Sequence, residues 1–300
     1  MTDDGQQITF GSLFSGIGGL DLGLEQAGMK CVFQVENDKH CLTILNRHWP
    51  NVPKNEIRPC MGLVGGDPCP IRSTVSAMHG TTKPDLAGYF LAMAARCKPG
   101  WVLRENVPAP DAVEFNAALG LLGYTSIITR MDSKAFTGQS RCREFVAGFN
   151  KLKNLNRFVR MCDIAERIQG TCKERTKKRT PLLCLNTRRF RRDCRENYVY
   201  EGPERGLRVL SHAERESLQG LPIGWTDGIP QSARERTVGN AVTVPVAKWL
   251  GLRILEALSD DGCLPFVAQR RRDSRKIAAR RKSVKSVVND MKIKALAVNQ

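Results

Sequence analysis

Hydrophobic and polar positions follow two different periods in the first forty residues. An apolar ITFGSLF is followed by the glycine-rich SGIGG, then by LDLGLEQAG with helical spacing, then by KCVFQVE. The pattern therefore predicts strand, turn, helix and strand from Gln7 to Asp38. Helical periodicity returns at Lys39 to His48 and at Leu86 to Ala95. Short apolar runs at Met61 to Val64 and Trp101 to Leu103 read as buried strands, with further strands at Thr125 to Met131 and Glu144 to Phe149. Alternating strands and helices predict an α/β fold with a mostly parallel sheet covered on both faces. Later, LSHAERESLQGLP carries a helix start in which Ser211 caps and Glu214 returns the contact, and a last helix is expected from about Val244 to Leu258.

Composition divides this pattern into parts. Residues 1–149 are electrically neutral, residues 150–208 carry an excess of +10, residues 209–264 of −2, and residues 265–300 of +9. The expected organisation is thus a catalytic and cofactor-binding domain over 1–149, an inserted basic domain over 150–208, a return to the first domain over 209–264, and a basic tail. A neutral body with two basic segments suits a polyanion, because each neutralised phosphate releases counterions. Solvated lysines and arginines on loops would give the same count. No apolar run is long enough for a membrane helix, and the acidic N-terminus resembles no targeting peptide. Eleven cysteines without an export signal suit a reducing, intracellular setting, here the cytoplasm. Four of them, Cys162, Cys172, Cys184 and Cys194, lack the close pairing of a zinc site, so no metal is expected.

Four short motifs carry chemistry. In FSGIGGLD, Gly16, Gly18 and Gly19 let the backbone approach a ligand at a helix N-terminus, and Glu36 with Asn37 lies about twenty residues on, where a carboxylate can accept from ribose hydroxyls. A dinucleotide would fit the glycines as well. GGDPCP fixes Cys69 in a loop at the carboxyl end of a strand, where a thiol can act as a nucleophile or merely pack. RENVP sets Glu105 at the end of a buried strand, where desolvation favours the protonated acid. In QSRCREF, Arg141 and Arg143 share one strand face and can hold anions.

In order, FSGIGG, Glu36-Asn37, PCP, ENV, Arg-x-Arg, LQGLP and VGNAV resemble the blocks of the DNA cytosine-5 methyltransferases, over residues 8–258 apart from the basic insertion. The resemblance implies a Rossmann-like fold that uses S-adenosylmethionine, with the variable insertion as target recognition domain. It implies that Cys69 adds to C6 of a flipped cytosine, that Glu105 contacts N3 and the exocyclic amine, and that Arg141 and Arg143 steady the base and its phosphates. It further implies cofactor contacts from Phe14, Gly16, Gly19, Glu36, Asn37, Glu56, Asp67, Leu86, Asn240 and Val242. The implied partner is double-stranded DNA bound by a monomer, with room for a restriction endonuclease of the same system.

PLLCLNTRRFRR resembles the recognition core of such enzymes, offering Thr187, Arg188, Arg189, Arg191 and Arg192 for guanine edges or phosphates. Departures are the short stretch between Ile57 and Gly65, Glu56 where Asp is usual, Asp67 where Phe is common, Pro70 for Gln and Thr237 for Gln. Methyl transfer to RNA, a silent DNA-binding homologue and a nicotinamide-dependent oxidoreductase remain alternatives at this point.

Overall fold

The computed structural model describes residues 7–68, 86–160, 162, 185 and 198–259. The residues up to Leu258 belong to one compact unit. Cys69, the five recognition-core residues, Cys172, Cys184, Cys194 and the basic tail lie outside the described residues, as does most of the basic insertion.

Six strands form one sheet in the order β2-β1-β3-β4-β6-β5: β1 (Thr9–Leu13), β2 (Lys30–Val35), β3 (Gly62–Gly65), β4 (Trp101–Asn106), β5 (Thr125–Asp132) and β6 (Cys142–Phe149). The β1, β2, β3 and β4 strands run parallel, and β6 alone is antiparallel to both of its neighbours, β4 and β5. The expected mostly parallel sheet is therefore present. Strand order reverses at β1, with β2 on one side and β3 on the other. In open α/β sheets such a switch point leaves a crevice at the carboxyl ends of the strands.

Alternation along the strands decides which helix covers which face. Phe10, Val64, Leu103 and Phe145 point to one side, where they pack with Leu20 and Leu24 of α1 (Gly19–Ala27) and Val246, Leu250 and Ile254 of α5 (Val244–Leu258). Leu13, Leu63, Val102 and Val146 point to the other, against Phe90 of α3 (Leu86–Cys97) and Phe115 and Leu119 of α4 (Asp111–Leu121). Each fully buried large side chain of this kind contributes about 1.5–3 kcal/mol by transfer from water. The last helix thus returns to the first strand: a Cβ on Gly23 would lie 2.4 Å from that of Ala247, so glycine is what lets α1 and α5 approach. A third apolar group gathers Ile44 and Leu45 of α2 (Lys39–His48), Trp49, Trp225 and Val238, and the indole of Trp225 donates to Ile17 O at 2.9 Å.

The strands exceed their apolar cores at the C-terminal ends, where Arg104, Glu105 and Asn106 continue β4 although polar. Beside β2 the chain makes an isolated parallel bridge, Gln34 to Lys54, and from there to β3 no further strand is formed among the described residues. The expected capping box is formed, with Ser211 accepting from Glu214 N and the Glu214 carboxylate accepting from Ser211 N at the start of the helix His212–Leu218.

Candidate active site

The loops after β1, β2, β3 and β4 open on one cavity of about 1010 Å³. Phe14 and Gly16 both take left-handed backbone conformations, with φ of 51° and 57°. These turn the chain so that Gly16 N–H meets the Glu36 carboxylate at 2.7 Å. The other oxygen of Glu36 accepts from Asn37 N and Asp38 N, both at 2.8 Å. Asn55 then acts as a substitute strand neighbour, accepting from Glu36 N and donating to Glu36 O. Beneath the loop, Asp21 is fully buried and accepts from Ser12 Oγ at 2.6 Å and Gln34 Nε2 at 2.7 Å. Burial pushes its pKa up to about 7.

At the opposite wall Glu105 is buried, and desolvation raises its pKa against the pull of Arg143 and Arg141. Arg143 Nε stands 3.3 Å from Glu105 Oε1. The next side chain back along β4, Arg104, is 2 % exposed and turns away from solvent altogether. Its Nε and Nη2 donate to the two oxygens of Asp67 at 2.6 and 2.8 Å, and Nη2 also donates to Asp111 at 2.8 Å. Asn106 adds a bond to Asp67 Oδ2 at 3.2 Å.

The late blocks close the cavity. Gln219 is fully buried, donates to Val238 O and Ala241 O, and accepts from Thr243 Oγ1, so the LQG segment shapes the VGNAV turn. Arg141 donates to Ala241 O at 3.0 Å. Gln139, two residues earlier, donates to Leu218 O and accepts from Leu185 N, which ties the one described residue of PLLCLNTRRFRR to the cavity wall. Alternate side chains of QSRCR therefore reach the insertion, the VGNAV turn and the buried acid in succession.

Of the expected residues, Phe14, Gly16, Gly19, Glu36, Asn37, Asp67, Leu86, Glu105, Arg141, Arg143, Asn240 and Val242 all line this cavity. Glu56 does not. Its side chain is 62 % exposed and pairs with Arg58, because the chain turns at Asn55 and presents that residue instead. Asp67 lines the cavity through its backbone, but its carboxylate is 1 % exposed and is held by Arg104 and Asn106, so unlike the part-exposed Glu36 it serves the loop rather than a ligand. Arg104, Gln139 and Gln219 were missed as partners of the site. A charged or amide side chain inside an apolar strand or just before one was the signal for Arg104 and Gln139.

A profile of the family described as C-5 cytosine-specific DNA methylase matches residues 8–182 and 161–256. The type II methyltransferase M2.BsuMI of Bacillus subtilis (strain 168) is 26% identical over 291 residues, covering 80% of this chain and 73% of its own. M.FnuDI of Fusobacterium nucleatum is 31% identical over 179 residues, or 52% of this chain and 51% of its own. Among solved structures, a DNMT2 of Spodoptera frugiperda superposes with a TM-score of 0.62 at 13% identity, covering 83% of this chain and 100% of that one. The Entamoeba histolytica methyltransferase EhMeth gives 0.60 at 15%, covering 84% and 98%. These two likenesses speak for the fold. With the profile spanning the strands, the cavity loops and the returning helix, the chain belongs to the C-5 cytosine-specific DNA methylase family.

Proposed function

We propose that this enzyme methylates C5 of a flipped cytosine in duplex DNA through a covalent adduct between Cys69 and C6. S-adenosylmethionine, when bound, supplies an electrophilic methyl group. The cavity fits such a donor: the loop from Phe14 brings bare backbone to it, no atom lies within 4 Å of where a Cβ on Gly16 would point, and Glu36 presents a carboxylate already oriented by three backbone amides. Phe14, Gly16, Gly19, Asn37, Leu86, Asn240 and Val242 are the further residues that would hold it.

Cytosine C5 is a weak nucleophile, and addition of a thiolate at C6 breaks the C5–C6 double bond and moves its electron pair toward C5. The Cys69 sulfur forms the bond to C6, and Glu105, whose pKa burial raises, donates a proton to N3 and relieves the charge that the addition builds on the ring. Removal of the C5 proton after methylation restores the double bond and expels the thiolate. Arg143 orients Glu105, while Arg141 holds the VGNAV turn. Flipping the base costs a few kcal/mol, which phosphate contacts from the basic insertion offset. Thr187, Arg188, Arg189, Arg191 and Arg192 are the candidates for those contacts and for base reading. An endonuclease cutting the same sequence is the expected partner in the cell.

The observation that carries this reading is the buried, arginine-flanked Glu105 on the same cavity wall as Gly66, Asp67 and Pro68, the residues leading directly into Cys69. The test is methyl transfer from labelled S-adenosylmethionine to duplex DNA and, separately, to tRNA, followed by bisulfite sequencing. Label in DNA at a fixed sequence supports the proposal. Label in tRNA alone moves the substrate to RNA, and label in neither supports a silent binder.

A further inference from the structure

From the Arg104–Asp67 contact we infer that this buried pair is the device that positions the nucleophile loop, so that Arg104 and Asp67 are positioning residues for thiol addition. The inference rests on the Cys69 reading given above. Arg104 and Glu105 are consecutive in β4, and their side chains leave the strand on opposite faces. Glu105 faces the cavity, while Arg104 is buried with its fork closed on both oxygens of Asp67 at 2.6 and 2.8 Å. Both partners are almost entirely out of water, with side-chain exposures of 2 % and 1 %. Fork-to-carboxylate pairing fixes direction as well as distance, which a lysine or a single hydrogen bond would not.

The same guanidinium is itself held from two further sides. Asp111, at the start of α4, accepts from Nη2 at 2.8 Å, and the Phe115 ring lies 4.4 Å beneath the guanidinium carbon. Arg104 is thus an immobile anchor rather than a side chain that follows the loop. Asn106, one residue beyond the acid, adds bonds to Asp67 O and Oδ2. Cys69 follows Asp67 by two residues, so its Cα is within about 7.6 Å of the Asp67 Cα. The clamp therefore fixes where the loop leaves β3, against β4 and its acid, and bounds the distance between nucleophile and acid. No other ion pair among those with both partners below 5 % exposure joins the two catalytic segments among the described residues.

The test measures adduct formation per folded enzyme. Native protein and the variants R104M, R104K and D67N are mixed with S-adenosylmethionine and with duplex DNA in which every cytosine is 5-fluorocytosine. The rate of denaturation-resistant complex formation is divided by the concentration of donor-binding sites. R104M is expected to slow adduct formation at least 30-fold, with the donor Kd within about twofold of native, and R104K to fall between them because it retains charge without the fork. Per-site rates within threefold of native for R104M would overturn the inference, since a purely stabilising pair affects only the folded fraction. Should R104M fail to fold, the double variant D67L/R104M, which leaves no lone buried charge, is read in the same way. Absence of adduct from the native protein would instead refute the Cys69 reading, so the two failures are distinct.

Discussion

Replacing Asp21 with Asn should change the pH dependence of stability and leave donor binding intact. Asp21 lies at zero exposure under the glycine loop, and burial raises its pKa from 3.8 to about 7, against the lowering effect of the bonds from Ser12 and Gln34. The folded protein therefore keeps a proton that the unfolded chain releases. The stability this confers is complete below about 3.8 and is lost as pH rises toward 7, at up to about 1.4 kcal/mol per pH unit. Between pH 4.5 and 7.5 the loss amounts to about 3 kcal/mol. Asparagine has the same shape and carries no charge. Its Oδ1 can accept from Ser12, and its Nδ2 can donate to Gln34 Oε1, which is buried without a hydrogen-bond partner among the described residues, after a turn of that amide. Urea unfolding of native protein and Asp21→Asn at half-unit steps across this range isolates the group, because the titrations of groups that do not interact with Asp21 cancel in the difference. The variant should gain on native protein by about 3 kcal/mol from pH 4.5 to 7.5. A difference constant to within about 0.5 kcal/mol would refute the assignment of a desolvated carboxyl to this position.

Three further outcomes follow from the site. Arg143→Gln removes the nearest cation from Glu105, so the acid should stay protonated to higher pH; the alkaline limb of the kcat profile should move upward while kcat itself falls, and an unmoved limb would separate Glu105 from the rate. Gly19→Ala would place a Cβ 2.5 Å from Val242 O, a backbone atom that cannot swing aside, so the donor Kd should rise at least tenfold by calorimetric titration, with about 1–3 kcal/mol lost in stability. DNA affinity should fall as salt rises with a log–log slope near −0.9 per phosphate contacted, and a flat response in fluorescence anisotropy would remove the basic segments from DNA binding.

The fold was legible where a period governed burial. Lys39–His48 has the expected bounds because its apolar stripe and its cap coincide, with Asp38 accepting from two amides, and Val244–Leu258 because its buried stripe runs from Val244 to Ala257. Strand ends were less legible: β4 extends through Arg104, Glu105 and Asn106 because ladder bonds to β6 continue after the apolar run stops. The loop that opens the cavity after β1 was readable from Gly16 and Gly18, whose backbone conformations few other residues adopt. Contacts between distant polar residues were not. Nothing in local sequence announces that Asp67 will find Arg104, that Gln139 will reach Leu185, or that Asn55 rather than Glu56 will face the cavity, because each depends on which sheet edge two separate loops share.

The central claim is that a cysteine and a buried acid act on one pyrimidine ring. The direct measurement is incubation of native enzyme and Cys69→Ser with fluorinated duplex DNA and labelled S-adenosylmethionine, followed by denaturing electrophoresis and peptide mapping of any shifted band. Native protein should form a complex that survives denaturation, with the modified nucleotide on the peptide containing Cys69, and the serine variant should bind the DNA yet form none. An equally stable complex from the serine variant, or modification mapped to another cysteine, would contradict the account.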